Sequence, residues 1–160
     1  MRIAEDYVSF ETAKLLKENG FNVMCGSMYI PDIRHNGNSI SFNEELDLKN
    51  EGLGDEIEIV DGGDIWDAWN VNSDNSETEY SRPSIILAWK WFLCKHNVEI
   101  HPYLTSLGWC FEIGDTSSLD ITGSKPIYKP GFPSKENTYD SYCDAIEAAM
   151  KWYIEHKIKV

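Results

Sequence analysis

The order of the predicted elements constrains the fold most strongly, because a helix followed by a β-hairpin occurs twice along the chain. Residues 9–19 carry an apolar stripe with helical spacing, Ser9 is a suitable N-cap, and Gly20 is typical of a helix end. Residues 21–31 and 40–42 flank an Asn-Gly pair and have the apolar and aromatic content of strands. Together these segments predict a first helix–hairpin unit.

The second unit has the same order. A helix is predicted over residues 83–97, where proline and serine mark the start and asparagine marks the end. Residues 98–104 and 109–113 predict a second hairpin, and the proline in the first of these strands favours a sheet edge. A last helix is predicted to begin near Ser141, a suitable N-cap.

Two further segments complete the predicted architecture. Residues 114–137 are rich in Gly, Ser, Pro and Lys and predict a long loop. Residues 43–79 form an acidic insert, in which residues 57–60 predict one strand. We therefore expect a single α+β domain over residues 1–160, with an antiparallel sheet of about four to five strands and three helices packed on one face.

The negative charge of the chain is confined to that insert. The formal net charge is −13, and residues 43–79 hold 13 acidic side chains and one lysine, so these 37 residues carry −12. A chain without a cluster of Lys and Arg lacks the groups that bind nucleic-acid phosphates or an anionic membrane surface. The N-terminal residues contain no apolar signal segment, which favours a cytoplasmic location.

Four stretches of the chain form a recognisable pattern. They are SFETAKLLKENGF at residues 9–21, RPS at 82–84 leading to KWF at 90–92, HNVEI at 96–100, and YDSY at 139–142 followed by AIEAA at 145–149. This pattern resembles small uncharacterised proteins encoded by phages and prophages of gut Bacteroidetes, of the crAss-like phage type. The resemblance implies a virus-derived accessory protein acting in a bacterial host cytoplasm, and it implies no catalytic residues.

Two groups of side chains have the residue types of metal ligands, but neither has the spacing of a known site. Cys94, His96 and His101 fall within eight residues, whereas zinc sites usually have tighter paired spacings. Three aspartates of the insert lie at three-residue intervals, unlike the alternating ligands of an EF-hand. These aspartates are Asp61, Asp64 and Asp67. The chain also lacks a phosphate-binding glycine loop and a nucleophile elbow. A protein without cofactor or metal, and without enzymatic activity, is therefore favoured.

Aromatic side chains are stronger candidates for binding. Trp89 and Trp91 lie two residues apart on the predicted second helix, so one of them is exposed or covered by another segment. Trp66 and Trp69 of the acidic insert either cover that side chain or form a partner surface with the neighbouring aspartates. A pocket between sheet and helices is a further candidate. Its predicted lining residues are His101, Tyr103, Trp109 and Glu112.

Three functions follow from these observations. The favoured one is a non-enzymatic protein-binding factor, whose acidic, Trp-containing segment docks on a basic surface of a host or phage protein. The first alternative is a virion structural or packaging component. The second is a small-ligand (nucleotide or metal) binding protein or small hydrolase that uses the predicted pocket.

Overall fold

A computed structural model describes residues 6–31, 57–61, 72, 79–120 and 123–158. These residues form an α+β structure with three α-helices and two three-stranded antiparallel sheets. The chain divides into two compact units, which we name the N-terminal unit (Tyr7–Pro83) and the C-terminal unit (Ser84–Val160 together with Met1–Asp6). Of the helices in the described ranges, none is long and apolar enough to cross a membrane.

The N-terminal unit begins with α1 (Phe10–Glu18), whose ends are capped as the sequence predicts. The Ser9 hydroxyl accepts a hydrogen bond from the backbone N–H of Thr12 at 3.3 Å. Beyond the other end, Gly20 has a φ of +85°, in the left-handed region that favours glycine. The predicted first helix is therefore confirmed.

The sheet of the N-terminal unit has the order β2–β1–β3 with antiparallel pairing. Its strands are β1 (Ser27–Pro31), β2 (Ile57–Asp61) and β3 (Tyr80–Ser81). The strand predicted at residues 57–60 is confirmed, and it pairs with β1 from end to end. The strand predicted at residues 40–42 lies outside the described residues.

The core of this unit is built around Tyr29 of β1, which is fully buried. Its ring meets the Phe10 ring edge-on at 5.4 Å, and its hydroxyl donates a hydrogen bond to the Val8 carbonyl at 2.7 Å. Across the strands, Tyr29 pairs with Ile59 of β2, which is also buried. Part of the acidic segment therefore belongs to the hydrophobic core.

Both helices of the C-terminal unit also begin where the sequence predicts, and the first of them ends there as well. In α2 (Ile85–His96) the Ser84 hydroxyl accepts a hydrogen bond from the backbone N–H of Leu87, and Asn97 ends the helix with a φ of +53°. Then α3 (Tyr142–Tyr153), capped by Ser141, continues into a π-helical turn (Ile154–Ile158). Both predicted helices are confirmed.

The second sheet has the order β4–β5–β6 and is antiparallel throughout. Its strands are β4 (Val98–Thr105), β5 (Gly108–Asp120) and β6 (Gly123–Tyr128). The long loop predicted over residues 114–137 is thus wrong for residues 114–120 and 123–128. The prolines and glycines of this segment do not exclude strands. β6 is an edge strand, which tolerates Pro126. Gly123, at the start of β6, has a φ of +112°, which glycine accepts.

The α+β class is confirmed, but the single sheet of four to five strands is not. β1 already has a partner on each side, β2 and β3, and the β4–β5 hairpin takes β6 as its third strand. No strand in the described ranges is common to both sheets. Sequence order alone does not reveal this, because it does not say which strand edges pair.

One face of the second sheet carries the core of the C-terminal unit. α3 packs against β4 and β5, and the side chains that alternate toward it are buried. The strands supply Val98, Ile100, Phe111 and Ile113, and α3 supplies Ala145, Ile146, Ala149 and Met150. Tyr142 has the helical spacing of these buried residues, but it is exposed and lies at the first residue of the helix.

Candidate functional site

The predicted site residues of the acidic segment are only partly described. Asp64, Trp66, Asp67 and Trp69 lie outside the described residues, so a binding role for them stays a prediction. Asp61 is the last residue of β2 and pairs with Ser27. On α2, Trp91 is buried and Trp89 is half-buried, as their two-residue offset requires.

The four residues predicted to line one pocket lie on opposite faces of the second sheet. His101 pairs with Glu112 across β4 and β5, and Tyr103 lies two residues further along β4, so these three share a face. Trp109 pairs with Leu104, which places both on the face against which α3 packs. Because successive strand residues point to opposite faces, Trp109 and the other three do not form one pocket.

The face with His101 carries two pairs of charged groups. His101 Nε2 lies 3.1 Å from Glu99 Oε2, and Lys129 Nζ lies 3.8 Å from Glu112 Oε1. Their side chains are between 37% and 68% exposed, so water screens both pairs and each contributes little energy. No three His, Cys, Asp or Glu side chains of the described part of the chain are grouped to hold a metal ion. This face therefore has acid–base groups that are solvated rather than enclosed.

The Tyr103 phenol and the Cys143 thiol of the C-terminal unit are held in their neutral forms. Burial is the main cause that raises the pKa of Tyr103, and the nearby Cys110 and Glu112 add to it. Burial also raises the pKa of Cys143 to about 11. In the N-terminal unit, burial raises the pKa of Cys25 to about 12. Thiols with such pKa values stay protonated and are poor nucleophiles, so these two cysteines do not suit catalysis.

Exposed apolar side chains cluster where β4 and β5 meet. Leu104 lies opposite Trp109 across the strands, and Leu107 is in the turn that joins them. The Trp109 ring lies 6.0 Å from the ring of Tyr142 at the start of α3. Leu104, Leu107 and Tyr142 are 66%, 54% and 42% exposed, so the cluster faces water. We name these four residues the hairpin-end surface.

Carboxylates border the hairpin-end surface. Asp140 and Asp144 lie two residues on either side of Tyr142, and both are exposed. The carboxylate of Asp6 accepts a hydrogen bond from the thiol of Cys143, the next residue of α3, at 3.2 Å. The described residues therefore combine an apolar surface with negative charge beside it.

The sequence contained a partial signal for this surface. Trp109 was a predicted binding residue, although as part of a different site. Leu107 occupies the tight turn itself, a position at which Gly, Asn, Asp and Ser are usual, and Leu104 lies near the end of the preceding strand. Two leucines at the tip of a hairpin are the feature that would have indicated an exposed apolar surface. The exposure of Tyr142 had no such signal, because its spacing on the helix fits the buried face.

His96 is the last residue of α2, a position at which a charged imidazole would complement the helix dipole, but its ring lies among aromatic side chains. Its ring packs against those of Trp91 at 4.9 Å, Phe92 at 5.7 Å and Tyr153 at 5.8 Å. Burial lowers the pKa of His96, and the charge of Lys95 lowers it further. The imidazole is therefore a neutral member of an aromatic cluster and not a cation that complements the helix dipole.

We expect this lowered pKa to make the folded protein less stable in mild acid. An unfolded histidine has a pKa of about 6.5, so below that pH the unfolded chain binds a proton that folded His96 resists. Protonation then favours unfolding, and the free energy of unfolding falls as the pH falls. Urea unfolding at neutral and mildly acidic pH measures this loss, which the variant His96→Phe should lack. The same pH dependence in both proteins would contradict the assignment.

No family model matches the chain. No curated protein and no solved structure is significantly similar to it either. What the protein does is therefore inferred from its own residues.

Proposed function

We propose that this chain is a phage-type accessory protein that binds another protein in the cytoplasm of a bacterial host and catalyses no reaction. The observation that carries the proposal is the hairpin-end surface, where Leu104, Leu107 and Tyr142 are exposed around Trp109. Single exposed apolar residues are common on monomers, but contiguous apolar groups mark interaction surfaces. Tryptophan and tyrosine are also the side chains that most often dominate binding energy in protein interfaces.

Negative charge supports a partner with a basic surface. Residues 43–79 carry −12, and Asp140 and Asp144 lie beside the hairpin-end surface. Opposite charge on the partner would accelerate encounter and make the association sensitive to salt, while the apolar contact would be insensitive to it. Trp66 and Trp69 would add aromatic contacts within the acidic segment.

The test is capture of a partner from a lysate of gut Bacteroidetes at low and at raised salt, with three variants of the full chain. Deleting residues 43–79 would remove β2 and its pairing with β1, so the acidic segment is tested by substitution instead. The first variant replaces acids outside β2 by their amides: Glu44, Glu45, Asp47 and Glu51. The second combines Leu104→Ser with Leu107→Ser. The control is Met24→Ser, a change of an equally exposed residue in the N-terminal unit.

We expect the wild type and the control to retain the same protein. The amide variant should lose it at raised salt first, because fewer charges remain to attract it. The leucine variant should lose it at both salt concentrations, since the apolar contact is removed. Equal capture by all four proteins would refute the proposal, and so would the finding that no protein is retained by the wild type.

A further inference from the structure

A second apolar side chain of the C-terminal unit, Phe132, lies outside the hydrophobic core. The segment between β6 and α3, residues 129–141, carries Phe132, whose side chain is 98% exposed. A phenyl ring in water contributes no burial to the folded state, and it lies between Pro130 and Pro133. We name residues 130–138 the Phe132 loop.

Hydrogen bonds of Asn137 and Thr138 hold the backbone of this loop. The Asn137 side-chain amide donates to the Phe132 carbonyl at 3.2 Å, and its Oδ1 accepts from the backbone N–H of Ser134 at 2.7 Å. The backbone N–H of Asn137 donates to the Ser134 carbonyl at 3.2 Å. The Thr138 hydroxyl donates to the same carbonyl at 2.8 Å. These bonds tie residues 132–134 to residues 137 and 138.

The loop is also fastened to the second sheet. Tyr139 and Trp109 exchange two backbone hydrogen bonds, of 2.8 Å and 2.9 Å. The Cys110 thiol donates to the Asn137 carbonyl at 3.3 Å. A Cβ added to Gly108 would lie 2.9 Å from the Tyr139 carbonyl oxygen, so strand and loop are in close contact at that point. The Phe132 loop therefore has a defined conformation and ends next to the hairpin-end surface.

We infer that Phe132 is an anchor that inserts into an apolar pocket of the protein partner, an inference that rests on the proposed function. A rigid aromatic side chain presented on a preorganised loop loses little conformational entropy on binding, and such side chains are frequent hot spots. The charge of the loop is balanced, since its one lysine, Lys135, is followed by Glu136. An anionic lipid surface requires clustered basic residues, so a protein pocket fits this loop better.

The test uses the partner captured by the wild-type protein, purified and titrated by calorimetry against the full chain. Phe132→Ser should weaken binding by at least about tenfold, because it removes the anchor. Asn137→Ala should weaken binding by a smaller factor, since the ring remains but the loop must be ordered on binding. Met24→Ser is the matched exposed control and should bind as the wild type does. Phe132→Ser should leave the thermal midpoint unchanged, because the ring makes no buried contact.

The outcomes separate this inference from the function on which it rests. Unchanged affinity of Phe132→Ser for a partner that needs Leu104 and Leu107 would overturn the anchor and leave the proposed function standing. Absence of any captured partner would overturn both. Binding of the wild type but not Phe132→Ser to vesicles of phosphatidylcholine and phosphatidylserine would replace the protein pocket by a membrane. A dimer that dissociates in Phe132→Ser, seen by light scattering, would replace it by a second copy of this chain.

Discussion

Ile59→Ala is expected to lower the free energy of unfolding of the N-terminal unit by about 2–5 kcal/mol, the range for truncating a buried isoleucine to alanine. Ile59 is 2% exposed and lies opposite Tyr29, which is fully buried. The smaller side chain leaves a cavity beside a rigid aromatic ring, and a ring of that size cannot move to fill it. Hydrogen exchange of the β1 backbone amides, together with urea unfolding followed by circular dichroism, measures the loss.

The matched control is Ile86→Ala in α2, which makes the same chemical change at a residue that is 44% exposed. We expect it to change the free energy of unfolding by no more than about 0.5 kcal/mol. If the two variants are equally stable, β2 does not contribute to the core, and residues 43–79 act as an appended acidic segment. If only Ile59→Ala is destabilised, the segment has both a structural part and a charged part.

That distinction changes how the acidity of the chain is understood. The sequence shows −12 confined to 37 residues, which indicates a solvated insert. Yet Ile59 is part of the core, and the Asn72 side chain donates to the Phe21 carbonyl at 2.9 Å and accepts from the backbone N–H of Ser81 at 3.1 Å. This segment therefore contributes to folding as well as to charge, and only substitutions outside β2 and Asn72 isolate the second effect.

The helices were predictable from the sequence because their signals are local. Ser9 and Ser84 each cap a helix through the backbone N–H three residues later, and Asn97 ends α2 in the left-handed region. These contacts form within a few residues and do not depend on the rest of the fold. Strand pairing does depend on it, because an edge of β1 can pair with any strand of suitable length. The pairing of β1 with β2, across the intervening residues 32–56, was therefore not predicted.

The candidate site was predictable only in part, for a related reason. Once the register of β4 and β5 is known, the alternation of strand residues places Trp109 and His101 on opposite faces of the sheet. A turn one residue longer would shift the register and place them on the same face. The exposure of a side chain depends even less on the neighbouring sequence. Phe132 and Phe92 have the same side chain, yet Phe92 is fully buried and Phe132 is almost fully exposed. Which phenylalanine joins the core depends on the packing of distant elements.

Arg82→Ala is expected to lower the free energy of unfolding by about 2–4 kcal/mol, because it removes a buried cation and its contacts. Arg82 is 3% exposed. Its guanidinium lies 4.2 Å from the centroid of the Tyr7 ring and 5.4 Å from that of Tyr29, and Nη1 donates to the Ser27 hydroxyl at 3.3 Å. Arg82→Lys should recover only part of the loss, since an ammonium group cannot stack a planar fork on an aromatic ring. Urea unfolding of both variants measures the difference.

This variant also tests the role of residues 82–84, a part of the sequence pattern described above. Arg82, Pro83 and Ser84 form one of its four stretches, and each of the three contributes to the structure. Arg82 packs on the Tyr7 ring, and the Pro83 carbonyl accepts a hydrogen bond from the backbone N–H of Val8. Ser84 caps α2. A stretch in which every residue has such a contact is explained by folding alone.

Comparison with an exposed cation separates a role of this stretch in folding from a role in binding. If Arg82→Ala is strongly destabilised while the control Lys90→Ala stays within about 0.5 kcal/mol of the wild type, the stretch has a role in folding. If Arg82→Ala unfolds like the wild type but captures no partner, the stretch belongs to the binding surface instead. The first outcome is expected, because a side chain that is 3% exposed cannot contact a partner without unfolding its surroundings.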